Sequence, residues 1–282
     1  MNVAQLLDDA TAQIAAALGL DKREARLEAR VLASHAWAVD AAWLIAHDTD
    51  KTPDAQTTAF QTLLSQRLEG HPIAYIVGYR EFYGRSFRVT PDVLIPRPDT
   101  ELLVELALQR IPSDQPLEVL DLGTGSGCIA ISLALERPLA RITAVDRSEA
   151  AITVARSNAD QLGARITFLQ SDWLTALGEH RFDLIVSNPP YIARQDPHLE
   201  RGDVRFEPIT ALTARQDGLD DIRQLIAASP THLKPGGWLL LEHGYDQAEA
   251  VRALLNQHAL QAPQSWSDLA GHARVSGAKV SE

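Results

Sequence analysis

The chain has 282 residues, 45% of them hydrophobic, with 26 Lys and Arg against 37 Asp and Glu for a formal charge of −11. That length carries a full-sized core in two modest domains, or in one large domain with an appendage, and no apolar run approaches the ~20 residues a membrane helix needs. The acidic balance argues against direct nucleic-acid binding, which usually shows as a basic patch.

The first residues, MNVAQLLDDATAQ, place acids where a secretory signal carries bases. Val3, Leu6, Leu7 and Ile14 share one helical face, and Glu24 to Ala38 and Gln56 to Leu68 are further amphipathic runs. Four or five short helices over 1–75 are expected, a small bundle with Trp43-Leu44-Ile45 in its core. No local basic patch hides here: residues 1–80 hold seven Lys and Arg against ten Asp and Glu, and residues 81–110 hold four against five.

Over 76–98 the texture turns alternating and aromatic, and Gly84 suits a tight turn between Tyr83 and Phe87, so a β-hairpin linker is expected. A helix then starts in PRPDTE, with Asp99 or Thr100 as its cap and Leu102, Leu103 and Leu106 as its stripe. From Leu117 strands and helices alternate. Strands are expected at 117–121, 141–145, 165–170, 182–187 and 237–242, with weaker ones near 264–268 and 274–280. Helical patterns fall at about 127–137, 148–162, 218–232 and 246–258. This order predicts a doubly wound, mostly parallel α/β sheet over 99–282.

Two turns carry chemistry. The strand at 117–121 runs into Asp121-Leu122-Gly123-Thr124-Gly125-Ser126-Gly127, and glycines let a ligand approach the backbone closely. The next strand ends at Asp146, an acid able to hold two ribose hydroxyls at the carboxyl ends of the strands. Loop and acid together imply a nucleoside-containing cofactor. The order GxGxG puts Cys128 where a dinucleotide fingerprint has its third glycine, and the leading carboxylate suits the ammonium group of S-adenosylmethionine better than a pyrophosphate. Cys128 is the single cysteine, which excludes an intrachain disulfide and suits a reducing cytosol. The nine histidines form no HExxH and no metal site is expected.

The second turn is Asn188-Pro189-Pro190-Tyr191, at the end of the 182–187 strand. Proline fixes its own φ and holds the preceding residue extended, so Asn188 is locked outward. Its side-chain oxygen and the Pro189 carbonyl then offer two fixed acceptors for one –NH2 group, with Tyr191 as a flat wall. Accepting both N–H bonds of a weakly nucleophilic amide or aromatic amine favours in-line methyl transfer by orientation and electrostatics. Asn188, Pro189 and Tyr191 are the expected catalytic residues.

These residues resemble a known family. DLGTGSG with an acid after the second strand resembles the class I S-adenosylmethionine-dependent methyltransferases, and NPPY resembles their amino-methylating branch. LIPRPDTE (94–101), DLGTGSGCIAI (121–131), NPPYI (188–192), FEP…AL…DGL (206–219) and DLAGHARV (268–275) together resemble the HemK/PrmC protein-(glutamine-N5) methyltransferases. The resemblance implies a Rossmann-like seven-stranded sheet behind a helical substrate-recognition bundle. It implies methylation of the glutamine in the GGQ motif of class I peptide chain release factors by a cytoplasmic, monomeric enzyme. Carried over, Asp121, Leu122, Gly123, Thr124 and Gly125 form the cofactor loop, Asp146 holds the ribose and Trp173 lies along the adenine. Asn188, with Pro189, Pro190 and Tyr191, holds the glutamine amide, and Arg97 lines the substrate channel. The stretch from Ile192 to Arg215 is long for a connection and is expected to cover the substrate.

Two other readings share parts of this pattern. A DNA adenine methyltransferase has the same two turns but needs phosphate contacts and a flipped base. An NAD-binding oxidoreductase, or a cofactor-binding protein without catalysis, accounts for the glycine loop and leaves NPPY without a use.

Overall fold

A computed structural model describes residues 1–200, 202–214, 217–258 and 260–281, so Arg215, the end of the long stretch after Ile192, lies outside the described residues. The chain forms two compact units.

The first comprises Met1–Tyr79 and His198–Phe206. Its helices are α1 (Val3–Leu18), α2 (Lys22–Trp37), α3 (Ala41–Ala46), α4 (Asp54–Leu68) and α5 (Ile73–Val77). Asn2 starts α1 with a capping box: its side chain accepts from Gln5 N at 2.8 Å while the Gln5 side chain accepts from Asn2 N at 3.0 Å. Ile14, Leu32 and Phe60 are fully buried where α1, α2 and α4 meet. Of the Trp43-Leu44-Ile45 segment only Leu44 is buried; Trp43 stacks on His47 and Ile45 is 63% exposed. A six-residue helix turns only one narrow face inward, so three consecutive residues cannot all enter the core. Arg67, nearly buried, donates to Glu28 at 2.8 Å, to Asp203 at 2.8 Å and to the His71 carbonyl at 2.9 Å. Segment 198–206 is thereby part of the bundle.

The second unit comprises Arg80–Pro197 and Glu207–Glu282. It opens with a hairpin, β1 (Tyr79–Phe82) and β2 (Arg85–Arg88), whose turn residues Tyr83 and Gly84 both have positive φ, the geometry that matches strand twist. The α6 helix (Glu101–Leu108) follows a 3-10 turn at Pro98–Thr100. Neither expected cap acts as one: Asp99 pairs with Arg274, and the Thr100 side chain makes no cap hydrogen bond. Both are drawn to distant partners instead.

The sheet is built from β3 (Glu118–Leu122), β4 (Arg141–Asp146), β5 (Ile166–Gln170), β6 (Phe182–Ser187), β9 (Leu233–Glu242), β10 (Leu260–Ser267) and β11 (Ala273–Val280). Between them lie α7 (Cys128–Glu136), α8 (Glu149–Leu162), α10 (Asp220–His232) and α11 (Ala248–Gln257). A small parallel pair, β7 (Ile192–Ala193) and β8 (Thr213–Ala214), brackets α9 (Ile209–Leu212). The seven-stranded order is β10-β11-β9-β6-β3-β4-β5, parallel except that β11 runs antiparallel between β9 and β10. β9 starts earlier than Gly237 because Lys234-Pro235-Gly236 is taken up as an irregularity in its pairing with β6, not as a separate turn. The first strand of the sheet, β3, is an interior strand, with β4 on one side and β6 on the other. The strand order therefore reverses beside it, and ligands in open α/β sheets collect at such a point, beyond the carboxyl ends. Separate apolar clusters cover the two faces.

Candidate active site

The turn after β3 is held by its own backbone N–H groups and by a buried acid beneath it. Asp121 is fully buried; its Oδ2 accepts from the Thr124 hydroxyl at 2.6 Å, and its Oδ1 has no partner among the described residues. Burial pushes its carboxyl up to about 7. Gly123 N and Thr124 N both donate to the Val145 carbonyl at 2.9 Å, tying the turn to the end of β4. Asp146 continues the tie: Oδ2 accepts from Gly125 N and Oδ1 from Ser148 N, each at 2.9 Å. Gly127 starts α7 with φ +82, and an added Cβ would lie 2.9 Å from Ile131 and 3.1 Å from Ala155. It lets α7 approach α8, the close-packing service a third glycine gives in the dinucleotide fingerprint. Cys128 beside it is buried, and burial pushes its thiol up to about 12, so it stays protonated and inert.

The turn after β6 is knitted to the first. Ser187 donates to the Leu122 carbonyl at 2.7 Å, so Asn188 leaves the sheet next to the glycines. Asn188 Nδ2 donates to Thr100 Oγ1 at 3.1 Å. Among the described residues nothing donates to Asn188 Oδ1 or to the Pro189 carbonyl. Tyr191 is held through its backbone: its carbonyl accepts from Gln247 Nε2 at 3.1 Å, and Gly218 packs so close that a Cβ there would collide with it. Burial holds the Tyr191 phenol far above its usual range, so it remains neutral.

A cavity of about 640 Å³ opens where the turns meet. It is lined by Gly123, Gly125, Asp146, Trp173, Asn188 and Pro190, which brings six of the expected site residues together. Trp173 faces it from a left-handed backbone, φ +51, fixed by the Ser171 hydroxyl donating to the Trp173 carbonyl at 2.7 Å. Its ring covers Gly123, where an added Cβ would sit 3.3 Å away. Asp121, Leu122 and Thr124 lie beneath the glycine loop, and Pro189 is buried behind Asn188. Tyr191 packs into the cluster of apolar residues on one sheet face rather than walling the cavity. Arg97 is outside the lining too, paired with Glu207.

The stretch after Ile192 does reach the cavity: Arg194, Pro208, Ile209, Thr210, Ala211 and Thr213 form its far wall. Glu207 braces this wall, its carboxylate accepting from Arg97 and, at 3.0 Å, from Ile95 N. Thr100 was expected only as a helix cap, and Glu207, Gln247 and Glu242 were not expected at the site. The only signals were membership of the PRPDTE stretch for Thr100 and of the FEP stretch for Glu207, and the end of the 237–242 strand for Glu242; their partners lie far along the chain.

A switch-point cavity with a glycine loop, an acid on the neighbouring strand and two oxygens after β6 that no described residue donates to defines a class I methyltransferase domain. Residues 99–202 match the family described as Methyltransferase small domain, and residues 5–78 match the PrmC N-terminal domain. The release factor glutamine methyltransferase of Bordetella pertussis is 54% identical over 253 residues, 89% of this chain and 94% of that one. The protein of the same description from Escherichia coli K12 is 47% identical, covering 86% and 89%. Among solved structures, a 16S rRNA methyltransferase of T. thermophilus in complex with AdoMet and guanosine superposes with a TM-score of 0.54 at 23% identity. It covers 72% of this chain and 49% of that one, and shares the fold. The chain belongs to the release factor glutamine methyltransferase family.

Proposed function

We propose that this protein transfers a methyl group from S-adenosylmethionine to the side-chain amide nitrogen of the glutamine in the GGQ motif of class I peptide chain release factors. The observation that carries the reading is the pair of oxygens with no donor among the described residues, Asn188 Oδ1 and the Pro189 carbonyl, in the turn whose Asn188 and Pro190 line the cavity. Two acceptors fixed by prolines take both protons of one –NH2, which biases its nitrogen toward the geometry of attack.

The residues present fit the cofactor. The unpartnered Asp121 Oδ1 behind the glycine loop is a buried acceptor for positive charge. Asp146 retains lone pairs toward the cavity for ribose hydroxyls, and Trp173 with Gly123 forms a flat slot. When bound, S-adenosylmethionine would supply an electrophilic sulfonium methyl, with S-adenosylhomocysteine as the leaving group and one amide proton released to solvent, and no covalent enzyme intermediate would be needed. Asn188 and Pro189 orient that nitrogen, and Pro190 lines the approach. Tyr191 acts through the backbone bend that sets the Pro189 carbonyl, and Arg97 with Glu207 braces the wall on the substrate side. The reading assigns the helical bundle to partner recognition and the enzyme to a cytoplasmic monomer. No helix among the described residues is long and apolar enough to cross a membrane.

The test is to incubate the protein and labelled S-adenosylmethionine with a release factor, with the variant whose motif glutamine is alanine, and with an adenine-rich duplex. Label on the first alone is expected. Label on the duplex would overturn the reading in favour of an adenine methyltransferase.

A further inference from the structure

The side-chain amide of Asn188 can sit in two orientations that differ little in shape and oppositely in chemistry. With oxygen toward the cavity it accepts from the substrate amide; turned over, it points N–H at N–H. Proline fixes the backbone and leaves this choice open.

Two buried residues settle it. Glu242 ends β9, the strand parallel to β6, and Ser187 is in register with Leu241. Asn188 and Glu242 are therefore the next residues of adjacent strands and emerge on the same side of the sheet. Glu242 is 1% exposed; the Thr100 hydroxyl and the Asn188 amide hydrogen-bond toward its carboxylate, and its Oε2 has no partner. Thr100, 2% exposed, stands between them, its hydroxyl turned away from the α6 cap position that sequence suggests. An ionised carboxylate only accepts, so it takes the hydroxyl proton; the hydroxyl oxygen then accepts from Asn188 Nδ2, at 3.1 Å. A turned-over amide would set its oxygen against two acceptors, leaving a buried polar group unmet.

We infer that Glu242 and Thr100 are positioning residues for methyl transfer, a relay that holds the Asn188 oxygen toward the substrate nitrogen. The inference rests on the proposed role of Asn188. The charged or titratable groups facing the carboxylate are Asp99, Arg274, Tyr191 and Cys128. Burial first, then Asp99, raises Glu242 to about 7, so the relay has its full polarity on the alkaline side.

The experiment compares Thr100→Val, Thr100→Ser and Glu242→Gln in the full chain at pH 8.5, with Asn188→Ala as reference. Each is assayed for kcat, for release-factor KM and for S-adenosylmethionine binding by calorimetry. Loss of the hydroxyl in Thr100→Val is expected to lower kcat about tenfold or more, with KM and cofactor affinity within about threefold, because the interaction lost acts on the transition state. Thr100→Ser, which returns the hydroxyl, recovers most of that loss. Glu242→Gln, whose amide can donate into the relay, behaves like Thr100→Val; if it does not fold, the two Thr100 variants decide. The inference is overturned if Thr100→Val keeps wild-type kcat, if Thr100→Ser is as slow as Thr100→Val, or if the loss falls on cofactor binding alone. A fast Asn188→Ala would instead remove the underlying reading of the site.

Discussion

The turns after β3 and β6 lie side by side, stitched by one hydrogen bond, and are made from opposite materials. The first uses Gly123, Gly125 and Gly127, all with positive φ, to gather backbone N–H groups over a buried acid. The second uses Pro189 and Pro190, which have no N–H, to leave oxygens uncovered. One turn is flexible chemistry made rigid by its neighbours; the other is rigid by covalent constraint. The lesson is that backbone type sets how each turn is held: the glycines fold their N–H groups back onto Val145 and Asp146, and the prolines leave acceptors without donors.

The largest effect expected from breaking this contrast is on the acceptor side. Asn188→Ala should lower kcat about 100- to 1000-fold, ~3–4 kcal/mol in the barrier by analogy with a lost oxyanion-hole donor, while cofactor affinity stays within about threefold. Single-turnover assays with calorimetry check it, and a turnover within tenfold of wild type would refute the role. On the donor side, Asp146→Ala removes the anchor of Gly125 and Ser148. It should weaken S-adenosylmethionine binding about 10- to 100-fold, the worth of ~1.5–3 kcal/mol for a charge-assisted bond. A kcat effect without an affinity effect would mean that the two turns are not divided as drawn.

A gentler probe separates the proline turn from its support. In Gly218→Ala the new methyl meets the Tyr191 carbonyl and the backbone sits at φ +76. The cost should be about 1–3 kcal/mol, seen as a lowered melting temperature together with a slower kcat. Unchanged melting would show that the bend tolerates movement.

The smallest effect is one of pH. Asp121 is raised to about 7 by burial, above its value in an unfolded chain. Its contribution to stability is complete below ~4 and is lost as pH rises through about 7. Glu242 has the same sign. The cofactor-free protein should melt a few degrees lower at pH 8 than at pH 5.5, with a shallower slope in Asp121→Asn. An identical slope in that variant would place the titration elsewhere.

The alternating sheet was legible because periodicity and turn residues are local signals, and both chemical turns could be read from their residue types. What held them in place was not. Thr100 and Asn188 are 88 residues apart, Arg97 and Glu207 are 110, and Tyr191 and Gln247 are 56. Such partners follow from strand order and register, which hydrophobic pattern does not encode. The same blindness explains the misread cap: Asp99 and Thr100 suit a helix start by type, and distant groups outcompeted the nearby N–H. Tyr191 was expected as a wall of the cavity; it instead packs, partly buried, against the apolar cluster on one sheet face, with its carbonyl accepting from Gln247 Nε2.

Counting His198–Phe206 within the helical unit makes the bundle a poor cassette. A gene fusion that exchanged residues before Tyr79 for those of a relative would import a foreign lysine, arginine or neutral residue opposite Asp203. The guest would have to supply its own equivalent of the Arg67–Glu28 pair. Swaps that carry the nine-residue insert along with the N-terminal segment should therefore yield soluble chimaeras where simple head exchanges do not.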